Sequence, residues 1–580
     1  MKIVVCIKQV PEIGEARINP VTGTLDRSEV PLTINPIDLH ALELALQLKE
    51  QNGGEILVIS MGPGSAEKIL REALALGCDD ARLITGKEFA ASDTYATSSV
   101  LAGAIGILPA VDLVIAGEKA IDGDTGQIGP EVAAFLDLPI FSYVIDFYLT
   151  PNGHFHIERL TERGSQSVEI DPPCVVTVTK GINVPRFPTL HGKRKARQKI
   201  IQILDASSLP IHRERIGLEG SPTRVVKVEN VQVERKGIIL RDMDEVEMEN
   251  SVEVLILGEV FEGKVEQTTF QAIAVGQILH QKGIRKVGVL LGSGHLNDGE
   301  LDKTIHYGAD ELYYLENPVF DSLAYHVTAR LILQKVNFLR PSIILAAATS
   351  QGTTLMPYLA AKLHTGLTAD CVSFDIDPRD GKLLQIRPAI GGNIMATIKT
   401  RTLPQMATIR PNTFLANYFP QHLGRITLEK DPTNYQTGFL KNQLRKDENS
   451  LDLTEARVVC SGGRGLKNAH NFTLVEQLAQ NLGAAVGASR AAVEQGWISY
   501  PHQVGLSGKT VSPEVYICAG ISGALQHLAG MQTSGSIVAI NRDPEAQIFR
   551  VADLGLVGDA CEILPLIIDG LNRRKKHVRV

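Results

Sequence analysis

The sequence predicts an α/β protein of three doubly wound parallel-sheet domains, the first two a tandem pseudo-repeat and the third a Rossmann-like domain. Three observations carry this expectation. Short β-branched runs alternate with amphipathic helical patterns, the signature of parallel strands joined by helical crossovers. The alternation restarts near residue 250 with the same order of elements. It restarts again near residue 453, now with glycine-rich turns following the strands.

In the first stretch, 1–200, a strand-like run at 3–7 leads to a helical pattern at 39–50, a strand at 55–60 and a helix at 66–76. In the second, 251–416, a strand at 254–257 leads to a helix at 270–281, a strand at 286–291, a glycine turn at 292–294 and a helix ending before Gly308. Two short matches fix the alignment. Gly77-Cys-Asp-Asp80 corresponds to Gly308-Ala-Asp-Glu311, and Gly129-Pro-Glu-Val-Ala-Ala134 to Met356-Pro-Tyr-Leu-Ala-Ala361. Both pairs are offset by about 230 residues, as a duplicated domain requires. Between the repeats, 201–250 is less regular, closes on the acidic run Arg241-Asp-Met-Asp-Glu-Val-Glu-Met-Glu-Asn250, and reads as an arm or linker. A polar connection at 417–452 sets off the third unit, 453–580, whose Arg573-Arg-Lys-Lys-His577 reads as a solvated tail.

Composition narrows the function classes. The 580 residues are 44% hydrophobic and 21% charged, ordinary for folded globular protein. A net charge of −7 offers no footprint for a phosphate backbone, so nucleic acid is not an expected partner. The seven cysteines include no CxxC pair, which fits a reducing, cytoplasmic setting without disulfides or structural zinc. Apolar runs fall well short of the roughly 20 residues that span a bilayer, and Met1-Lys2 opens directly into a short strand rather than a signal segment.

The chemistry concentrates in the third unit. A strand at 456–460 enters Ser461-Gly-Gly-Arg-Gly465, followed by a helix whose apolar face is Phe472, Val475, Leu478 and Leu482. A second strand, 514–519, enters Gly520-Ile-Ser-Gly-Ala-Leu-Gln-His527, where small residues open a helix whose free N–H groups and positive dipole end suit phosphate. A third strand, 536–540, ends in Asn541-Arg-Asp-Pro544, and a fourth turn carries Ala552-Asp553. Polar residues at successive strand C-termini form the crevice in which open α/β sheets bind nucleotides. In the first repeat, the strand at 112–116 opens into Gly117-Glu-Lys-Ala-Ile-Asp-Gly-Asp-Thr-Gly-Gln-Ile-Gly-Pro130, a loop able to wrap a nucleotide. Gly123 is its expected left-handed position. The second repeat has Ala348-Thr-Ser-Gln-Gly-Thr-Thr354 instead, without the acidic pattern, and is not expected to bind a separate nucleotide.

Five segments of the third unit resemble, in order, the FAD domain of the electron-transferring flavoprotein (ETF) alpha subunit. They are Ser461-Gly-Gly-Arg-Gly465, Val486-Gly-Ala-Ser-Arg-Ala-Ala-Val493, Gln503-Val-Gly-Leu-Ser-Gly-Lys509, Gly520-Ile-Ser-Gly-Ala-Leu-Gln-His-Leu-Ala-Gly530 and Ala539-Ile-Asn-Arg-Asp-Pro-Glu-Ala546. Residues 251–412 resemble that subunit's N-terminal domain and 1–200 its beta subunit, so the chain looks like a beta-first fusion.

The resemblance implies a bound FAD, with Arg464 over the flavin, Arg490 beside the isoalloxazine, and Ser489 and Ser522 at polar groups of the cofactor. Fixed positive charge there favours the anionic reduced flavin. A surface salt bridge or a phosphate contact is the alternative for each arginine. The resemblance also places Ser507 at flavin N5, His527 at the pyrimidine edge, and Asn541, Asp553 and Leu554 near the adenosine. Gln503, Val504, Gly505, Leu506, Gly523, Ala524, Leu525 and Gln526 complete the expected contacts.

A second pocket, for AMP or a second FAD, is implied at Cys6, Asn35, Pro36, Ile37, Asp38 and Met61, with Gly117, Ala120, Ile121, Asp122, Gly123, Asp124, Thr125, Gly126 and Gln127. Leu190, in Asn183-Val-Pro-Arg-Phe-Pro-Thr-Leu190, falls at the position of the family's anchoring leucine for partner docking. Five of the seven residues 193–199 beyond it are basic, a run equally readable as a solvated face.

The implied function is an FAD electron carrier between a dehydrogenase, of the acyl-CoA kind met in fatty acid β-oxidation, and a quinone reductase or ferredoxin-linked acceptor. No substrate bond is made or broken within the chain on this reading. The alternatives are an electron-bifurcating, NADH-oxidising component with two FAD, toward which the Ile-Asp-Gly-Asp-Thr loop leans, and more distantly a nucleotide sensor.

Overall fold

The computed structural model describes residues 1–11, 17–18, 25–26, 31–162, 164–230, 252–389, 394–446, 453, 456–505, 508–509, 511–528 and 530–577. They form two compact units. One comprises 1–160, 166–410 and 414–443; the other comprises 444–580 with the short segments 161–165 and 411–413.

The first unit holds both repeats, each built on its own sheet. Along one sheet the strands run Gln202–Leu204, Asp80–Ile84, Glu55–Met61, Lys2–Cys6, Leu113–Gly117, Cys174–Val178 and Ile140–Leu149, all paired in parallel. Antiparallel Phe155–Thr161, then Gly164–Ile170 and Phe439–Lys446, extend it. The other sheet runs Arg425–Lys430, Glu311–Glu316, Val287–Ser293, Val254–Leu257, Ile343–Ala347, Gln405–Ile409 and Leu367–Cys371, again all parallel. Numbered by chain position, the two sets of seven share one order, 7-3-2-1-4-6-5. The repeat read from two short matches is therefore a repeat of topology.

Hydrophobicity explains the placement. Ile3, Val4 and Val5 are all buried, as are Val254, Leu255 and Ile256, because helices cover both faces of these sheets and no strand position is left for water. The motifs that align in sequence also meet in space. Helix Ile128–Leu136 packs on helix Ser350–Lys362, and Val132, Ala133 and Ala134 share one core with Met356, Leu359, Ala360 and Ala361. The alanines allow close approach, while each fully buried large aliphatic side chain contributes about 1.5–3 kcal/mol. Tyr143 and Thr353 join the repeats by a 2.7 Å hydroxyl hydrogen bond.

Two connecting segments are more structured than their composition implies. In the segment read as an arm, Thr223–Asn230 pairs antiparallel with Ile394–Thr400, joining a four-stranded sheet with Leu383–Ala389 and Ser373–Ile376; 231–250 lie outside the described residues. Within the polar connection at 417–452, Arg425–Lys430 and Phe439–Lys446 are edge strands, one on each large sheet; 447–452 lie outside the described residues. An edge strand needs only one apolar face, so its sequence reads as polar.

The second unit is a five-stranded parallel sheet ordered Ala485–Ala488, Val458–Gly462, Val515–Ala519, Ser536–Asn541, Leu554–Val557, or 2-1-3-4-5 by chain position. Helix Ala560–His577 closes it, and the basic run 573–577, expected as a solvated tail, is its last part.

Candidate functional site

In a 2-1-3-4-5 sheet the chain reverses direction between strands 1 and 3, and the loops leaving those strands part to form a crevice. Here they are the turns after Gly462 and Ala519. Gly463 N–H donates to the Ala519 carbonyl and Gly465 N–H to the Gly520 carbonyl, each at 2.9 Å. A Cβ on Gly463 would lie 2.4 Å from the Gly520 oxygen, and one on Gly465 would lie 2.7 Å from the Gly520 Cα. No larger residue permits this approach, and the two loops together floor a cleft of about 790 Å³.

Most of the expected FAD contacts gather there. Arg464, Ser489, Arg490, Gln503, Val504 and Gly505 line one part of the cleft; Ser522, Ala524, Gln526, His527 and Asn541 line another. Arg464 and Arg490 are exposed at the rim. Arg490 Nε donates to Glu494 Oε1 at 2.6 Å, so the cation arrives already paired. Ser489 caps the short helix Arg490–Glu494. Asn541 Nδ2 donates to the Ile521 carbonyl at 2.9 Å and so holds the loop above strand Val515–Ala519. Gly523 does not line the cleft but makes its turn possible, with φ +83° and a Cβ position 2.2 Å from Ile548 N. Leu525 opens a helix of one turn, Leu525–Leu528, so little helix dipole supports a phosphate there. Leu506 and Ser507 lie outside the described residues.

His527 is almost wholly buried. Burial pushes its pKa down to about 4, only weakly countered by the Val504 carbonyl, so the ring is neutral. Tyr516 Oη lies 3.0 Å from its Nε2, whereas Nδ1 has no hydrogen-bond partner.

Asp553 and Leu554 do not join the group. Asp553 accepts a 2.8 Å hydrogen bond from Ile537 N–H at the start of strand Ser536–Asn541, the end opposite the cleft, and Leu554 begins the neighbouring strand. An acid that does line the cleft is Asp559, which follows that strand's C-terminus and pairs with Lys467 at 2.6 Å. Lys467 holds its carboxyl below the usual range. The sequence reading took the start of a strand for its end; an aspartate just ahead of a helical run was the available signal. Gly465, Glu494, Gly520, Arg542 and Asp543 are further lining residues that it missed.

The first repeat has a reversal of its own, between strands Lys2–Cys6 and Leu113–Gly117, and the residues expected in the second pocket meet there. Asp38, at the start of helix Pro36–Asn52, accepts from Lys8 N at 2.8 Å, Gly117 N at 3.2 Å and Asn35 Nδ2 at 2.9 Å. Burial outweighs these donors and raises its pKa to about 7. Cys6 ends its strand beside it, its thiol pushed up to about 12 by burial. Pro36 opens the helix, Ile37 is wholly buried and Met61 ends the adjacent strand.

The 117–127 loop crosses above. Ile121 N donates to Asn35 Oδ1 at 3.3 Å, Asp124 N to the Ala120 carbonyl at 2.8 Å, and Lys8 pairs with Asp122 at 2.7 Å. Asp124 pairs with Lys119 at 2.8 Å, which, against burial, holds its carboxyl below the usual range. Gln127 is buried and accepts from Thr94 Oγ1, while Thr125 is half-buried. The left-handed positions are Asp124, at φ 51°, and Gly126, at φ 65°, not Gly123, where a Cβ would meet nothing within 4 Å.

In the second repeat a different set of side chains meets at the matching reversal. Glu259 N donates to Thr269 Oγ1 at 2.8 Å, and the buried Glu259 carboxylate accepts from Thr349 Oγ1.

Leu190 starts helix Leu190–Gln198 and is 88% exposed, close in sequence to exposed Val184 and Phe187. Arg186 pins this segment through Glu43, at 2.9 Å, and Glu50. Apolar side chains on an anchored loop are a common form of docking surface.

A family model described as "Electron transfer flavoprotein domain" matches residues 22–209 and 254–431, most of both repeats. The chain belongs to the electron transfer flavoprotein family. A second model, "Electron transfer flavoprotein FAD-binding domain", matches 452–532 in the second unit. The electron transfer flavoprotein subunit alpha of Thermoanaerobacterium thermosaccharolyticum is 39% identical over 332 residues, 57% of this chain and 100% of that subunit. Subunit beta of the same organism is 44% identical over 256 residues, 44% of this chain and 98% of that subunit. The lactate dehydrogenase (NAD(+),ferredoxin) subunit LctC of Acetobacterium woodii is 34% identical over 339 residues, 57% of this chain and 80% of that subunit. The chain thus joins a beta-like and an alpha-like part in one polypeptide. Among the described residues no helix is long and apolar enough to cross a membrane.

Proposed function

We propose that the cleft of the second unit holds FAD and that the chain carries electrons from a dehydrogenase, of the acyl-CoA type, to a quinone reductase or ferredoxin-linked acceptor. The observation that carries this reading is the convergence of eleven expected contact residues at the reversal point of the sheet that the FAD-binding model matches. Bound FAD supplies the one- and two-electron chemistry; the chain binds it and tunes it. Arg464 and Arg490 set positive charge at the rim, favouring a reduced, anionic ring. The glycine-zipped floor brings backbone close to the cofactor, and Asn541 fixes the loop beside it. Leu190, with Val184 and Phe187, supplies a partner-docking face.

A second reading is a bifurcating component with two FAD, the other in the first repeat's crevice. The likeness to LctC, whose name includes both NAD(+) and ferredoxin, favours it. Under the carrier reading that crevice takes AMP. A nucleotide sensor is the remaining alternative, and a flavin that accepts no electrons would point to it. Counting flavin released per chain on denaturation, with an assay for AMP, separates the readings. One FAD plus AMP supports the carrier, two FAD the bifurcating component, and no flavin overturns both.

A further inference from the structure

Tyr516 is fully buried in the middle of strand Val515–Ala519, where phenylalanine would fill the same volume without the cost of burying a hydroxyl. Its Oη lies 3.0 Å from Nε2 of His527, with the rings 6.2 Å apart and 56° from coplanar. His527 lines the cleft, and its Nδ1 is buried without a hydrogen-bond partner. An imidazole nitrogen in that state is costly until something satisfies it.

We propose that Tyr516 is a positioning residue: its hydroxyl donates to Nε2 of His527 and so fixes the ring as the neutral tautomer with its proton on Nδ1, available to an acceptor on the bound cofactor. The inference deepens the FAD reading and rests on it.

Neutral imidazole has one donor and one acceptor nitrogen, and the group facing one decides the role of the other. With Nε2 engaged as the acceptor, the proton belongs on Nδ1. A neutral N–H donor stabilises negative charge on a reduced ring without adding a further full cation to the cleft, where Arg464 and Arg490 already stand. Because the relay is buried, solvent does not compete for either nitrogen.

The test is the pair of imidazole ¹⁵N shifts of His527 in the labelled full-length protein, with flavin bound and after its removal, together with the flavin midpoint potential. Wild type should show a protonated Nδ1 and an unprotonated Nε2. Tyr516→Phe should shift both signals toward the Nε2–H form and lower the potential. His527→Asn, which keeps a donor near the Nδ1 position, should hold the potential closer to wild type than His527→Gln, which reaches toward Nε2. A wild-type proton on Nε2, unchanged shifts and potential in Tyr516→Phe, or equal losses in the Asn and Gln variants would overturn the proposal. If Tyr516→Phe fails to fold, the wild-type shifts and the Asn/Gln pair still decide. The shifts of the flavin-free protein read the Tyr516–His527 pair whether or not the ligand is FAD, so failure of the cofactor reading is recognised separately by the flavin count.

Discussion

The two repeats share a strand order, yet different side chains hold their reversal points. Two residues beyond the central strand, the first repeat has Lys8, whose amide donates to Asp38 and whose amine pairs with Asp122. The second has Glu259, whose amide donates to Thr269 and whose carboxylate is bonded to Thr349. The fourth strand ends in Gly117 in one case and Ala347 in the other. A Cβ on Gly117 would lie 2.4 Å from Asp38 Oδ1, so the first geometry is closed to alanine. An ammonium paired with Asp122 thus stands at one reversal, and a buried carboxylate bonded to a threonine at the other. Topology makes the crevice, but a handful of side chains decide whether anything enters it.

Lys8→Glu transplants the second repeat's charge into the first and should break the contrast most severely. Nucleotide affinity there should drop on the order of 100-fold, from a lost charged contact plus repulsion. Calorimetric titration of AMP into nucleotide-depleted protein measures it, and unchanged affinity would remove Lys8 from the site.

Gly123→Asp sharpens the comparison by asking which nucleotide enters. A side chain at Gly123 meets open space, so the fold should tolerate it while the crevice narrows. If the native chain carries two FAD, flavin content should fall to one; if it carries FAD plus AMP, flavin content should not change. A variant that keeps two flavins would show that the loop forms no flavin site.

Asp38→Asn tests the buried acid that the second repeat replaces with Thr269. With a folded pKa of about 7, above its ordinary value, Asp38 takes up its proton more readily in the folded state. Its contribution to stability is therefore present in acid and lost as pH rises from about 4 to 7. The asparagine variant should flatten that fall, measured as urea midpoints at pH 5 and 8. An unchanged slope would contradict the burial argument.

The smallest effect is expected in the second unit. Arg490→Ala should lower the flavin midpoint potential by about 1 kcal/mol equivalent, since an exposed cation already paired with Glu494 is partly screened. No change would place Arg490 away from the ring.

Much of this was legible in the sequence. Parallel strands buried on both faces read as continuous apolar runs, so Lys2–Cys6 and Val254–Leu257 were visible directly. The glycines at 463, 465 and 520 were legible as turn residues following strands, but not their approach to one another. What escaped shares a cause. Leu554–Val557 and the strands within 425–446 lie at sheet edges, where half-exposed side chains erase the apolar signal, and missing the first of these displaced the expected acid from Asp559 to Asp553. Thr349 was invisible as a partner because only folding brings it to Glu259, 90 residues away, whereas the i,i+4 spacing of Arg490 and Glu494 stood in the sequence. Gly123 was given the left-handed angle because glycine tolerates it, whereas Asp124 and Gly126 adopt it.

The central claim, that the cleft at Gly463–Gly465 and Gly520 is the flavin site, is tested most directly by obstructing it. Ala491 lines the cleft and is only half-buried, so Ala491→Trp fills the space without overpacking a core. Flavin released on denaturation should fall by one per chain, with an unchanged far-ultraviolet circular dichroism spectrum and undiminished nucleotide binding in the first repeat. A variant that folds and retains its full flavin complement would contradict the assignment.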